Sequence, residues 1–257
     1  MPVHEVAAAG FDDPHDYEAA RPSYPPDVVG WLVEHLGVRP TARVCDLAAG
    51  TGKLTRLLAP ATSGLFAIEP VGGMRATFRS VLPDVPLAAG TAEALPVASG
   101  TLDAVTVAQA FHWFDFDAAV AELARVLRPG GRLALVWNAR DRSVEWVDRV
   151  WSIMDRVEKR APWRDHEQWR DTAQRAMPGF GPLHDAQFHH VQVLTPEDVV
   201  RRVASVSHVA VLPGDARKVV LDEVREVVAT DPETRGRATV AMPYRVDCYW
   251  TERNLSA

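Results

Sequence analysis

A run of small residues, Asp46-Leu47-Ala48-Ala49-Gly50-Thr51-Gly52, closes a short apolar segment and stands immediately before a helical pattern. Small side chains there let the backbone come close to a ligand, and the acid at the head of the run can hold a cationic or hydroxyl group. A tight strand-to-helix turn without a ligand would use the same residues, so the run alone says little. Two nucleotide motifs fail against it. A P-loop needs Gly five residues before the Gly-Lys pair and Ser or Thr after Lys53, and these places hold Leu47 and Leu54. The dinucleotide fingerprint requires a third Gly and meets Thr55 when started at Gly50, or Lys53 when started at Ala48. Glu69 adds to the signal: it closes the next apolar segment 17 residues after Gly52, where a carboxylate can accept from both hydroxyls of a ribose. Further strand ends carry Gly90-Thr91-Ala92-Glu93-Ala94-Leu95-Pro96 and Gln109-Ala110-Phe111-His112-Trp113-Phe114-Asp115.

The elements that must position these groups alternate between Thr41 and Asn138. Short β-branched runs at Arg43–Leu47, Leu65–Glu69, Val85–Ala88, Leu102–Val107 and Leu133–Trp137 are separated by amphipathic stretches at Lys53–Leu58, Gly73–Val81 and Asp117–Leu127. That rhythm predicts βαβ units with right-handed crossovers, hence a parallel sheet covered by helices with ligands at the carboxyl ends of its strands. Arg128-Pro129-Gly130-Gly131 is expected to stop a helix and turn the chain into the fifth strand.

Beyond Asn138 the pattern changes. Residues Val144–Val157 carry a helix-period apolar stripe, and the Trp-rich stretch through Trp169 follows, so an insertion packed over the sheet is expected. Trp146, Trp151, Trp163 and Trp169 suit helix packing better than an aromatic acceptor site. A strand is expected over Asp185–Leu194, then a helix opened by Thr195-Pro196-Glu197-Asp198 with a cap, a first-turn proline and acids. The last strand alternates strictly from Val240 to Trp250, and Pro243 within it predicts a bulge or an unpaired edge.

Composition narrows the function classes. The chain has 257 residues, 28 Lys+Arg against 34 Asp+Glu, and no dense basic cluster, which argues against a nucleic-acid partner because counterion release needs a basic face. Cys45 and Cys248 each lie in an apolar run and make no disulfide framework. The N-terminus lacks a secretory pattern and no stretch is long enough to span a bilayer, so a cytoplasmic protein without a membrane partner, monomer or homodimer, is expected.

On the motifs at 46–52, 69, 90–96 and 109–115, the sequence resembles the class I S-adenosylmethionine-dependent methyltransferases, particularly the small-molecule branch that includes the trans-aconitate methyltransferases. The resemblance runs strongly from Tyr17 to Asn138 and weakly through Pro243-Tyr244-Arg245. It implies an α/β, Rossmann-like, mostly parallel seven-stranded sheet of order 3-2-1-4-5-7-6 with an antiparallel last strand, helices on both faces and a helical insertion after the fifth strand. One domain spans 1–257, with an N-terminal cap segment at 17–40, a cofactor-binding core at 41–138, an insertion or lid at 139–184 and completing elements at 185–257. The cofactor implied is S-adenosyl-L-methionine, leaving as S-adenosyl-L-homocysteine, and no metal. Its binding residues would be Arg21, Asp46, Ala48, Gly50, Gly52, Glu69, Thr91, Ala92, Glu93 and Gln109, with Arg21 on the methionine carboxylate unless it is a solvated surface arginine. Two positions depart from the common pattern: Ala48 replaces a first glycine, and Thr91 replaces an acid beside the adenine amine, which leaves Glu93 the next candidate. His112 and Tyr17 are the candidates for catalysis, His112 serving equally well as a pocket wall with Trp113. Trp113 and Arg245 are the candidates for the acceptor, a small molecule with a carboxylate or hydroxyl; Arg245 alternates away from the apolar face of its strand. A nicotinamide dehydrogenase and a cofactor-binding module without turnover are the rival readings.

Overall fold

A computed structural model describes residues 21–158 and 177–255. Tyr17, Trp163 and Trp169 lie outside them. The chain enters through α1 (Pro26–His35), which has proline at its first position, and passes into β1 (Arg43–Leu47). After the small-residue turn come α2 (Thr55–Leu58), β2 (Gly64–Ile68), α3 (Gly72–Val81), a two-residue β3 (Leu87–Ala88), β4 (Leu102–Ala108) and α4 (Phe116–Val126). Asp115 caps α4 by accepting from the Ala118 N–H. Then follow β5 (Leu127–Arg140), α5 (Glu145–Glu158), β6 (His184–Leu194), α6 (Pro196–Ala204), α7 (Ser207–Ala210), α8 (Gly214–Thr230) and β7 (Val240–Glu252).

The seven strands form one sheet in the order β3-β2-β1-β4-β5-β7-β6. Strands β1 to β5 pair in parallel, and β7 runs antiparallel to both of its neighbours. This is the implied Rossmann-like architecture, with its reversal in the last strand.

Pleating sends alternate residues to opposite layers. Cys45, Val105, Val107, Leu133 and Leu135 pack under α4, whose Ala119, Val120, Leu123 and Val126 form the facing stripe. Val44, Ala104, Ala134, Val136, Val246 and Cys248 meet α1 and α2 on the other side. Both cysteines are buried free thiols. A third apolar cluster joins α5, α6 and α8 to Val240, Met242 and Tyr244 of β7, and Trp146 and Trp151 are buried within it as packing residues.

Two expectations resolve into finer geometry. Arg128–Gly131 turns the chain as expected, with Gly130 at φ +72°, but within the strand rather than before it, because β5 already pairs at Leu127 with Leu102 and resumes at Arg132 opposite Ala104. At Pro243 there is no bulge: the register with β6 is continuous through Val191. The carbonyl of Pro243 accepts from the Asp141 N–H just past the last β5 pair, so the missing N–H faces the side where that ladder has ended.

Candidate functional site

The carboxyl ends of β1, β4 and β5 open into a cleft of about 570 Å³, counting the part open to solvent. Its walls bring together Arg21, Tyr24, Asp46, Ala48, Gly50, Lys53, Gln109, Asn138 and Arg202. The cleft therefore gathers five residues expected from sequence (Arg21, Asp46, Ala48, Gly50 and Gln109) at the sheet edge where α/β folds bind ligands.

Two residues without glycine's freedom adopt left-handed backbone there. Ala48 has φ +53° at the end of β1 and Gln109 has φ +60° at the end of the adjacent β4. Such conformations cost about 1–3 kcal/mol and persist where surrounding contacts enforce them. The enforcing bonds are visible: the Ala49 N–H donates to the Ile68 carbonyl (3.2 Å), Gly52 to Ala49 (2.9 Å) and Gln109 to Val136 (2.9 Å). A glycine at position 48 would adopt this φ without strain.

Glu69 fastens the turn from the side. Its Oε2 accepts from the Gly50 N–H at 2.8 Å and its Oε1 from the Val71 N–H at 2.7 Å, and the residue is buried. Burial raises its pKa above 4.5, while the Val71 and Gly50 N–H groups and nearby Arg75 pull it back. Each oxygen keeps a lone pair for a further donor. A Cβ placed on Gly50 would meet nothing within 4 Å, so the turn leaves an open cradle beside this carboxylate.

Asp46 is arranged differently from a ligand-holding acid. It accepts from the Thr55 hydroxyl at 2.5 Å and the Thr106 hydroxyl at 2.8 Å and is 1% exposed. Burial lifts its carboxyl to about 6, against the lowering pull of these hydrogen bonds. Its oxygens tie α2 and β4 to the turn.

Residues 21–25 cross one side of the cleft. Arg21 donates to the Ser205 carbonyl at the end of α6 (2.8 Å), and the Asn138 amide donates to the Ser23 carbonyl (3.3 Å). Arg202 of α6 reaches the cleft from behind: it is 2% exposed, its Nε donates to the Tyr244 hydroxyl at 3.3 Å, and its guanidinium lies 6.0 Å from the Trp151 ring.

Other expected residues lie outside these walls. Thr91 pairs with Ala94 in a short bridge, Ala92 is buried, and Glu93 accepts from the Asp115 N–H at 3.1 Å. Gly52 faces α3 rather than the cleft, since a Cβ there would come within 2.6 Å of Leu82 and 2.9 Å of Phe78. His112 and Trp113 sit in a helical turn after β4, where the Trp137 indole donates to His112 Nδ1 at 3.5 Å and Trp113 packs partly buried. Arg245 is on the face of β7 opposite Tyr244 and Val246, and Asp247 occupies its fork at 2.7 and 2.9 Å. Asn138 and Arg202 were not singled out from sequence. The available signal for Arg202 was an arginine three residues after Val199 on the apolar stripe of a well-capped helix.

Comparison with known proteins agrees with this layout. Residues 45–135 match the model of a family described as a methyltransferase domain. An uncharacterized methyltransferase of Mycobacterium tuberculosis is 40% identical over 234 residues, covering 90% of each chain. Among solved structures, the YcgJ protein of Bacillus subtilis superposes with a TM-score of 0.59 at 18% identity, covering 89% of this chain and 98% of that one. A Haemonchus contortus phosphoethanolamine N-methyltransferase in complex with phosphomonomethylethanolamine and S-adenosylhomocysteine gives 0.50 at 15% identity, covering 89% of this chain and 52% of that one.

Proposed function

We propose, from the premise that this chain belongs to the class I S-adenosylmethionine-dependent methyltransferases, that it moves a methyl group from S-adenosylmethionine to a small-molecule acceptor. The observation that carries the reading is the open cradle at Gly50 beside a buried Glu69 carboxylate with one lone pair left on each oxygen. Those lone pairs suit the two hydroxyls of a ribose. The Ala48–Gly52 backbone would run along the methionine portion, Arg21 would pair with its carboxylate, and Thr91, Ala92 and Glu93 would flank the adenine. Gln109 would floor the site.

S-adenosylmethionine supplies a methyl group already activated on a sulfonium. What remains for the protein is to orient the two partners and exclude water. His112, beside Trp137 at the end of β4, and Tyr17 are the groups proposed to orient the acceptor or take a proton from it, with Trp113 as a wall. A carboxylate acceptor would need no base; a hydroxyl would.

The strand order separates this reading from a nicotinamide dehydrogenase, whose doubly wound sheet has the order 3-2-1-4-5-6 without a reversed strand between β5 and β6. Calorimetry is expected to show binding of S-adenosylhomocysteine and none of NADH, and methyl-labelled cofactor is expected to deliver label to the small-molecule fraction of a metabolite extract. Label found in RNA or protein would overturn the small-molecule acceptor. Binding without any transfer would favour a cofactor-binding module instead.

A further inference from the structure

Arg202 carries a charge into the interior at 2% exposure, and among the described residues it forms no ion pair. Burying an unpaired charge is costly, and the interactions on hand are modest: one hydrogen bond to the Tyr244 hydroxyl and a tryptophan ring at the 6.0 Å edge of useful range. Its Nη1 is buried with no hydrogen-bond partner, and the residue lines the cleft. Asn138 lines the same cleft at 7% exposure; its amide nitrogen is spent on Ser23, and its Oδ1 is also without a partner. A buried donor with full charge and a buried acceptor thus stand unmatched on two residues that line one cleft. Native interiors rarely leave such groups unmatched unless something else completes them.

We propose that Arg202 is the anchor for a carboxylate of the methyl acceptor, so that the acceptor is a small organic acid. The guanidinium fork matches the planar oxygen pair of a carboxylate, and Asn138 Oδ1 suits a hydroxyl or amine elsewhere on the same molecule. This deepens the proposed function and rests on it. The methionine carboxylate of the cofactor is the other source of the same chemistry, and the proposed function already gives it Arg21, which lines the same cleft. Arg202 packs on Tyr244 of β7, and β2, where Glu69 would take the ribose, lies four strand spacings distant, about 19 Å. The ribose end of the cofactor would therefore lie far from Arg202, and the S-adenosylhomocysteine affinity of the Arg202 variants separates the acceptor's carboxylate from the methionine's.

The test uses the whole chain saturated with S-adenosylhomocysteine and ligand-observed NMR titrations of benzoate, 4-hydroxybenzoate and succinate against their carboxamides, with phenyl phosphate alongside. At least one carboxylate is expected to bind about tenfold more tightly than its neutral amide. Arg202→Gln is expected to abolish that preference while changing S-adenosylhomocysteine affinity less than about twofold by calorimetry. Arg202→Lys, which keeps the charge and loses the fork, is expected to retain the fold and weaken the carboxylates about tenfold; it carries the test should the glutamine variant not fold. Carboxylates and amides binding the wild type alike would overturn the assignment, as would tighter binding of phenyl phosphate than of every carboxylate. A tenfold loss of S-adenosylhomocysteine affinity in either variant would move Arg202 to the cofactor and overturn it too. Failure of S-adenosylhomocysteine to bind the wild type would remove the proposed function, while the carboxylate preference would still be read directly on the unliganded protein.

Discussion

Glu69 performs two tasks with one carboxylate, holding the Gly50 and Val71 N–H groups while presenting its remaining lone pairs at the strand end. Its place was legible in the sequence because an acid closing the second strand of such a sheet is close to any nucleoside-like ligand. The two backbone bonds were not legible, since they depend on how the turn folds back. Replacement by Ala is expected to weaken S-adenosylhomocysteine binding by about 2–4 kcal/mol, roughly 30- to 1000-fold, from the loss of two charge-assisted hydrogen bonds. Unchanged affinity in a folded variant would sink the ribose assignment. The pH dependence gives an independent check. Burial raises the pKa of this group, and only the ionised form accepts on both oxygens, so affinity is expected to fall with acidification sooner than for an ordinary glutamate. Glu69→Gln should bind more weakly but show a flat profile over the same range; a parallel slope in both proteins would assign the titration elsewhere.

At the scale of elements, the turn between β1 and α2 divides its glycines between two duties that the sequence presents alike. Gly50 and Gly52 both have positive φ, at +58° and +87°. Space around them differs: a Cβ on Gly50 meets nothing, whereas one on Gly52 strikes Leu82 and the fully buried Phe78. Gly50→Val is expected to fold with a cost of about 1–2 kcal/mol for the left-handed backbone and to lose cofactor binding, because the side chain fills the cradle. Gly52→Ala is expected to lose more stability, adding about 1–3 kcal/mol of overpacking to the same backbone cost. Urea unfolding and calorimetry on both variants separate the duties, and normal binding by Gly50→Val would mean that the loop does not face the ligand. Similar reasoning explains why local signals placed most elements well and missed others. Periodicity and boundary residues place α3 and α4 to within a residue or two and the start of α6, since each carries its own boundary chemistry. Pro and Gly mark the turn at Arg128–Gly131, and only the pairing of Leu127 with Leu102 shows that the strand has already begun before it.

For the whole molecule, the parallel half of the sheet follows from alternating strand and helix patterns, while the reversal at β7 came from the family resemblance. What no local pattern reveals is the convergence of α6, β5 and residues 21–24 on one cleft, because Arg202, Asn138 and Tyr24 line it from positions far apart in the chain. Asp46 shows how such convergence reaches global stability. Its carboxyl is buried at the centre of the sheet, between β1, β4 and α2, and burial lifts its pKa from 3.8 to about 6. For an acid raised in this way, the folded state holds its proton where the unfolded chain has already released it. Stability is therefore unaffected below the unfolded pKa, falls as pH rises from about 4 to about 6, and levels off above the folded pKa. Two pKa units correspond to about 3 kcal/mol, of which about 2 kcal/mol should be lost between about pH 4.5 and about pH 7.5. Asp46→Asn keeps an oxygen acceptor and has no proton to lose, so its stability relative to wild type is expected to improve by that amount over the same interval. Carboxyls shifted in the other direction, Asp103 among them, are common to both proteins and cancel in the comparison. Urea denaturation of both proteins at the two pH values measures the difference. A gap that stays constant would show that Asp46 is ionised throughout, held so by Thr55 and Thr106 more strongly than burial opposes it.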